Sequence, residues 1–160
     1  PKSDTFTSRC FHHVEFYCGD ATFAYKRFML SLGMEFAVKS DLSTGNDIYA
    51  SYGIESSDLR MIFTAPYTTS SQPSLSSNID NISIENTPPN PFPGFHRDIA
   101  NNFTNTHGLG VRAVAIEVED VSESFSALTR NGARAVLPPT RLDDQEGRGY
   151  ADLAEISLYG

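Results

Sequence analysis

The sequence predicts an α+β fold of two tandem β-α-β-β-β modules, the second lacking its last strand. An internal repeat is the first observation behind this. The stretch FHHVEFYCGD, Phe11 to Asp20, returns as VRAVAIEVED, Val111 to Asp120. Without gaps, Val14 falls on Val114, Phe16 on Ile116 and Asp20 on Asp120, and each copy runs into a helix-like segment that stops at a glycine, Gly33 or Gly132. The strand-like segments after each helix are the second observation: three follow the first helix, and the second has room for two. A sheet left one strand short has an unpaired edge, which natural proteins rarely leave open.

The elements follow in order. Residues 1–9 read as a polar lead-in. Cys10 to Cys18 has the aromatic and β-branched content of a strand, with Phe11, His13 and Glu15 alternating against His12, Val14 and Phe16. Asp20 is placed to cap a helix carrying Phe23, Phe28 and Leu32 as core positions, closed by Gly33. Strands are expected at Glu35 to Lys39, Ile48 to Ile54 and Leu59 to Thr64, with the turn-forming connectors SDLSTGN and ESSD between them. From Pro66 to about Pro93, Ser, Asn, Thr and Pro dominate without hydrophobic period, which predicts a surface excursion. Phe95, Ile99 and Phe103, four apart, predict a short amphipathic helix that packs on the body and stops at His107-Gly108. The second copy predicts a strand Val111 to Val118, a helix capped by Asp120 or Ser122 with Phe125 and Leu128 inward, and a strand around Ala135 to Leu137 broken by Pro138-Pro139. A loop RLDDQEGRG and a last strand Tyr150 to Tyr159 complete it.

Composition narrows the function classes. A chain of 160 residues suits one domain, and its net charge of −8 argues against nucleic acid or an anionic membrane surface as partner. No run approaches the length of a membrane-spanning helix, and the amino end has no secretory-signal pattern. A chain that opens on proline is expected to come from something longer. Cys10 and Cys18, eight residues apart on one strand, would lie about 26 Å apart, beyond disulfide reach, and free thiols fit a reducing compartment. The sequons at Asn81 and Asn102 are read as chance matches.

Short motifs carry little chemistry. His12-His13-Val14-Glu15 contains H-x-E, the start of a zinc-deaminase signature, but no P-C-x-x-C follows. His13 and Glu15 share a strand face and could begin an iron site of two His and a carboxylate. The twin strand offers only Ala113 opposite His13, and Leu59 to Tyr67 supplies no carboxylate, so His13 is read as structural. Gly108 to Ala113 spells G-x-G-x-x-A but precedes a strand, where no helix amides could meet a pyrophosphate. No G-x-S-x-G elbow exists, and neither cysteine opens a helix. His96 and His107 are read as solvent-facing or capping, Arg112 as a partner of Glu15 or Glu117, and Phe63 to Tyr67 as packing.

Several segments resemble the amino-terminal half of a plant 4-hydroxyphenylpyruvate dioxygenase, within the vicinal oxygen chelate (glyoxalase/dioxygenase-like) fold. These are FHHVEFYCGD, KSDLSTGN, FTAPY, HGLGVRAVAIEVED and LAEISLYG, in the family's order. The resemblance implies an amino-terminal domain over 1–160: module one about 10–67, loop and short helix 68–108, module two 109–160. It implies an intact enzyme that uses Fe(II) and O2 to make homogentisate and CO2, in tyrosine catabolism and on the plastoquinone and tocopherol route. Two His and one Glu of a carboxy-terminal catalytic domain, absent from this chain, would hold the iron. No position here matches those ligands, so no catalytic, cofactor or metal residue is assigned and no cofactor is expected in this chain. The expected partners are that domain of the same polypeptide and further copies in a homo-oligomer, with neither nucleic acid nor membrane. The expected location is cytoplasmic, or plastid if a transit segment has been removed. The chain alone is expected to be inactive. Two alternatives are a freestanding metal-free scaffold of the same fold and a small metalloenzyme using His13 with ligands from another subunit.

Overall fold

The computed structural model describes residues 6–67, 92–143 and 147–158. The chain divides into two compact units, Val14–Ala113 and a second made of Pro1–His13 with Val114–Gly160.

The unit Val14–Ala113 takes the end of β1 (Ser8–Tyr17), then α1 (Ala21–Leu32), β2 (Glu35–Ser40), β3 (Tyr49–Ser56), β4 (Leu59–Pro66) and α2 (Arg97–His107). It also takes the start of β5 (Gly110–Val118), and the sheet order is β2-β3-β4-β1-β5. β2, β3 and β4 form an antiparallel meander. β4 then lies parallel to β1, pairing Val14 with Met61 and Phe16 with Phe63. A parallel pair cannot be joined by a tight turn, so α1, β2 and β3 fill the crossover between them.

Local chemistry sets the ends of α1. The Asp20 carboxylate accepts from the Phe23 amide at 2.9 Å, and Gly33 turns left-handed at φ 66° while its amide bonds Met29. The buried stripe is Ala21, Ala24, Tyr25 and Phe28, spaced i, i+3, i+4, i+7. Phe28 meets Phe63 at 4.9 Å between ring centres, and Phe16 stacks on Phe63 at 5.1 Å. Phe63 is fully buried, with Cys18, Met34, Ala50, Ile54 and Ala65 around it. Phe23 and Leu32, expected in the core, are instead 64% and 55% exposed. Phe23 lies two residues, about 200°, from Ala21 around the helix, and Leu32 falls in the last turn. Within SDLSTGN, a 3-10 turn Leu42–Thr44 is held by Asp41, whose carboxylate accepts from the Ser43 amide and hydroxyl and from Tyr52. These bonds, Ser43's foremost, hold the Asp41 carboxyl below its usual range.

In the other unit, α3 (Val121–Arg130) is capped by Asp120, which accepts from the Glu123 amide at 2.7 Å. It packs on a hairpin of β6 (Arg134–Asp143) and β7 (Tyr150–Ser157). β6 is longer than expected. Pro138-Pro139 do not end it, because the β6–β7 register shifts between Leu137 and Thr140, so the residues lacking amide donors sit in an irregularity. Arg141 to Asp143 therefore belong to the strand rather than to a loop. Arg141 grips Asp152 across the hairpin through two bonds of 2.8 and 3.0 Å, fixing the register. The strand β3, YASYGIES, and the strand β7, YADLAEIS, have equal length and begin alike, which extends the repeat through the third strand.

The polar lead-in is shorter than expected, since β1 starts at Ser8. The stretch from Pro66 to Pro93 lies almost wholly outside the described residues. α2 forms as expected and Phe95 just ahead of it is buried as expected, but Ile99 is 54% exposed and Ala100 is buried in its place.

Replacing Phe63 with Ala should cost about 3–5 kcal/mol, the range for emptying an aromatic core site. Phe23→Ala should stay within roughly 0.5 kcal/mol, as exposed positions do. Urea unfolding followed by circular dichroism measures both.

Candidate functional site

The strongest concentration of polar chemistry lies on the face of the Val14–Ala113 sheet opposite α1. Strand alternation puts it there. Phe16 and Phe63 point to α1, so Glu15 and Tyr17 on β1 and Thr64 on β4 point away, and Ser51 and Tyr49 on β3 pair with Thr64 and Pro66. The Thr64 hydroxyl donates to Glu15 Oε1 at 2.8 Å, and Ser51 Oγ lies 2.9 Å from Thr64 Oγ1. A hydroxyl has one proton, so with Thr64 donating to Glu15, Ser51 must donate to Thr64. The result is a directed chain, Ser51 to Thr64 to Glu15, across three strands.

This face is closed. Phe95 packs on Tyr49 at 4.3 Å and on Tyr17 at 6.0 Å, Phe103 meets Tyr17 edge-on at 5.8 Å, and Ala100 is fully buried beneath α2. The Arg112 guanidinium stands 5.6 Å from the centre of the Tyr17 ring. Burial, then the charge of Glu15, pushes the Tyr49 phenol up to about 12, so it stays neutral and cannot act as a base near pH 7. Asn46, buried beside it, accepts from the Ile48 and Tyr49 amides and donates to Ser40, which fixes the entry into β3. Ser51, Thr64, Glu15 and Asn46 are thus engaged in holding strands together.

The residues singled out from the sequence distribute as follows. His12 and His13 turn their Nδ1 atoms on each other at 2.8 Å, so one ring donates to the other through those nitrogens. Among the described residues no three His, Cys, Asp or Glu side chains gather. Cys10 is exposed with its thiol 3.8 Å from Glu117, and Arg9 takes the same carboxylate at 3.3 Å, so Glu117 pairs with Arg9. Cys18 is buried and its thiol bonds the Thr64 carbonyl; burial raises it to about 11, far from a thiolate nucleophile. His96 precedes α2 without a side-chain cap, and His107 lies in its last turn against Phe103. Gly108 ends α2 and Gly110 opens β5, as expected of a turn. A side chain at Gly110 would start 3.2 Å from the Phe103 ring, so this close approach selects glycine. Thr64, Ser51 and Tyr49 were legible only as strand residues. Their alternation was visible, but not which strands would be neighbours.

No protein-family model matches the chain. It is 48% identical over all 160 residues to a 4-hydroxyphenylpyruvate dioxygenase of Arabidopsis thaliana. The values are 47% for the enzyme of the same name in Daucus carota and 42% for that in Hordeum vulgare, each again over the whole chain. The chain spans about a third of the length of these relatives (33%, 32% and 32%). Among solved structures, a mutant 4-hydroxymandelate synthase from Streptomyces coelicolor superposes with a TM-score of 0.68 at 17% identity, over 94% of this chain and 35% of that one. A methylmalonyl-CoA epimerase from Mycobacterium tuberculosis gives 0.57 at 16% identity, over 91% and 78%. The fold is that of the vicinal oxygen chelate proteins, and the sequence is similar from end to end to the plant dioxygenases.

Two outcomes are expected. Thr64→Val leaves Glu15 and Ser51 short of a partner and should cost about 1–3 kcal/mol in denaturant unfolding. In the native chain a thiol reagent should modify Cys10 but not Cys18 near pH 8. The raised Cys18 value contributes stability that is complete below pH 9.0, its unfolded value, and fades as pH climbs through about 11. Thiol counting before and after unfolding, and melting across that range, check both.

Proposed function

We propose that the chain is the amino-terminal domain of a plant-type 4-hydroxyphenylpyruvate dioxygenase, the enzyme that converts 4-hydroxyphenylpyruvate and O2 into homogentisate and CO2. The observation that carries this is the 48% identity along the whole of the chain to a relative three times as long. In this reading, module one covers about 10–67, the connector 68–108 and module two 109–160. The carboxy-terminal domain of the same polypeptide completes the enzyme and holds the Fe(II) that supplies oxygen activation.

The chain's own residues then act as support. α2 fills the sheet face of module one with aromatic side chains, and the Ser51–Thr64–Glu15 chain is consumed in strand packing. Both favour a non-catalytic half. We further propose that the intact protein is a homo-oligomer and works in the cytoplasm, or in the plastid after loss of a transit segment.

Oxygen uptake tests this. Given Fe(II), ascorbate and 4-hydroxyphenylpyruvate, the intact polypeptide should consume O2 in proportion to homogentisate formed, and the 160-residue chain alone should consume none above background. Failure of the intact polypeptide to make homogentisate removes the reading; uptake by the chain alone removes its non-catalytic role. His13→Ala in the intact polypeptide should leave the iron content per chain unchanged by metal analysis.

A further inference from the structure

The sequence holds a single Asn-Gly pair, Asn131-Gly132, in the turn between α3 and β6. Asn131 caps the helix at φ −89° and ψ 10°, and both residues are exposed. The Asn131 backbone amide bonds Ala127 and Leu128, the Gly132 amide bonds Thr129 at 3.1 Å, and the Ala133 amide bonds Leu128 at 3.0 Å. Among the described residues no hydrogen bond holds the Asn131 side chain. Its amide carbon is therefore free to swing toward the nitrogen of the next residue. That nitrogen is open to approach, because glycine has no side chain and nothing lies within 4 Å of where one would start.

The other described asparagines differ. Asn46 is buried, its oxygen accepting from the Ile48 and Tyr49 amides and its nitrogen donating to Ser40. Asn101, Asn102 and Asn105 lie inside α2 and precede residues that carry side chains. Only at Asn131 do an unheld side-chain amide, a bare neighbour and a helix end coincide. Helix ends open at little cost, so the Gly132–Thr129 bond is a weak guard.

We propose that Asn131-Gly132 is a site of spontaneous covalent modification, where the chain converts its own asparagine into aspartate and isoaspartate. Hydroxide takes the Gly132 amide proton, and the nitrogen attacks Asn131 Cγ. As the new C–N bond forms, the side-chain nitrogen leaves as ammonia with a proton from water, which returns the hydroxide and closes a cyclic imide. Water then opens the ring at either carbonyl. Attack at Cγ gives aspartate, and attack at the main-chain carbonyl leaves the backbone running through Cγ as isoaspartate. Either product sets a carboxylate at the end of α3, where the helix already presents its negative pole. Isoaspartate also lengthens the backbone by a carbon, which draws the Ala133 amide off the Leu128 carbonyl.

Mass mapping of the folded protein, held in mild alkali, tests this. Aspartate and isoaspartate should accumulate at position 131 while Asn46, Asn101, Asn102 and Asn105 keep their amides. The rate should fall within about tenfold of that in a synthetic peptide of residues 129–135, as a fraying helix end allows. Asn131→Gln should stay intact, because its longer side chain closes the ring far more slowly. In the converted protein the Ala133 amide should exchange with deuterium several-fold faster than before conversion. Slower conversion than the peptide comparison allows would overturn the proposal. So would aspartate formed without isoaspartate, the mark of direct hydrolysis, or an Asn131→Gln chain that converts as fast.

Discussion

Parallel pairing of Val14–Tyr17 with Met61–Thr64 is the contact on which the better-packed unit depends. It closes a crossover of more than forty residues and places Phe63 between Phe16 and Phe28, where burying an aromatic ring contributes on the order of 2–3 kcal/mol. It also sets the opposite face. Because Phe63 points to α1, Thr64 must point away, and only then do Ser51 and Glu15 come within reach of one hydroxyl. The polar chain across three strands is a by-product of the same register that builds the core.

That linkage explains why the polar face is a poor candidate for chemistry. Sites that work keep an opening, a charge with an unmet partner or a group poised near neutral pH. Here burial holds the Tyr49 phenol neutral, Thr64 is committed on both sides, and Phe95 and Phe103 pack against the tyrosines. The histidine pair on β1 is likewise turned inward on itself. What these contacts build is architecture.

Much of that architecture was readable from local sequence. Asp20, Gly33 and Asp120 mark helix ends by side-chain and backbone chemistry that needs no distant partner, and the repeat carried the strand order across a hundred residues. What escaped was whatever depends on neighbours. Phe23 and Leu32 look like core residues by type, but helix geometry gives the inward stripe to smaller Ala21 and Ala24. Pro138-Pro139 read as a strand break until a register shift against β7 showed how two residues without amide donors can be carried. Ile99 and Ala100 lie about 100° apart around α2, and the helix turns Ala100 inward and leaves Ile99 exposed. The carboxylate–hydroxyl chain could not be seen at all without knowing that β4 would be the strand beside β1.

The β1–β4 pairing also has a consequence for biosynthesis. A chain made from its amino end exposes Phe16 well before Phe63 exists. At roughly 5–20 residues per second, a lag of some forty-seven residues is on the order of 2–10 s. Hairpins and helices form in microseconds, so α1 and the β2–β3 turn can be in place while β1 still waits. During that interval a strand rich in aromatic residues has no partner on its β4 side. The charges of Arg9 and Glu15 along it then disfavour pairing with another nascent chain.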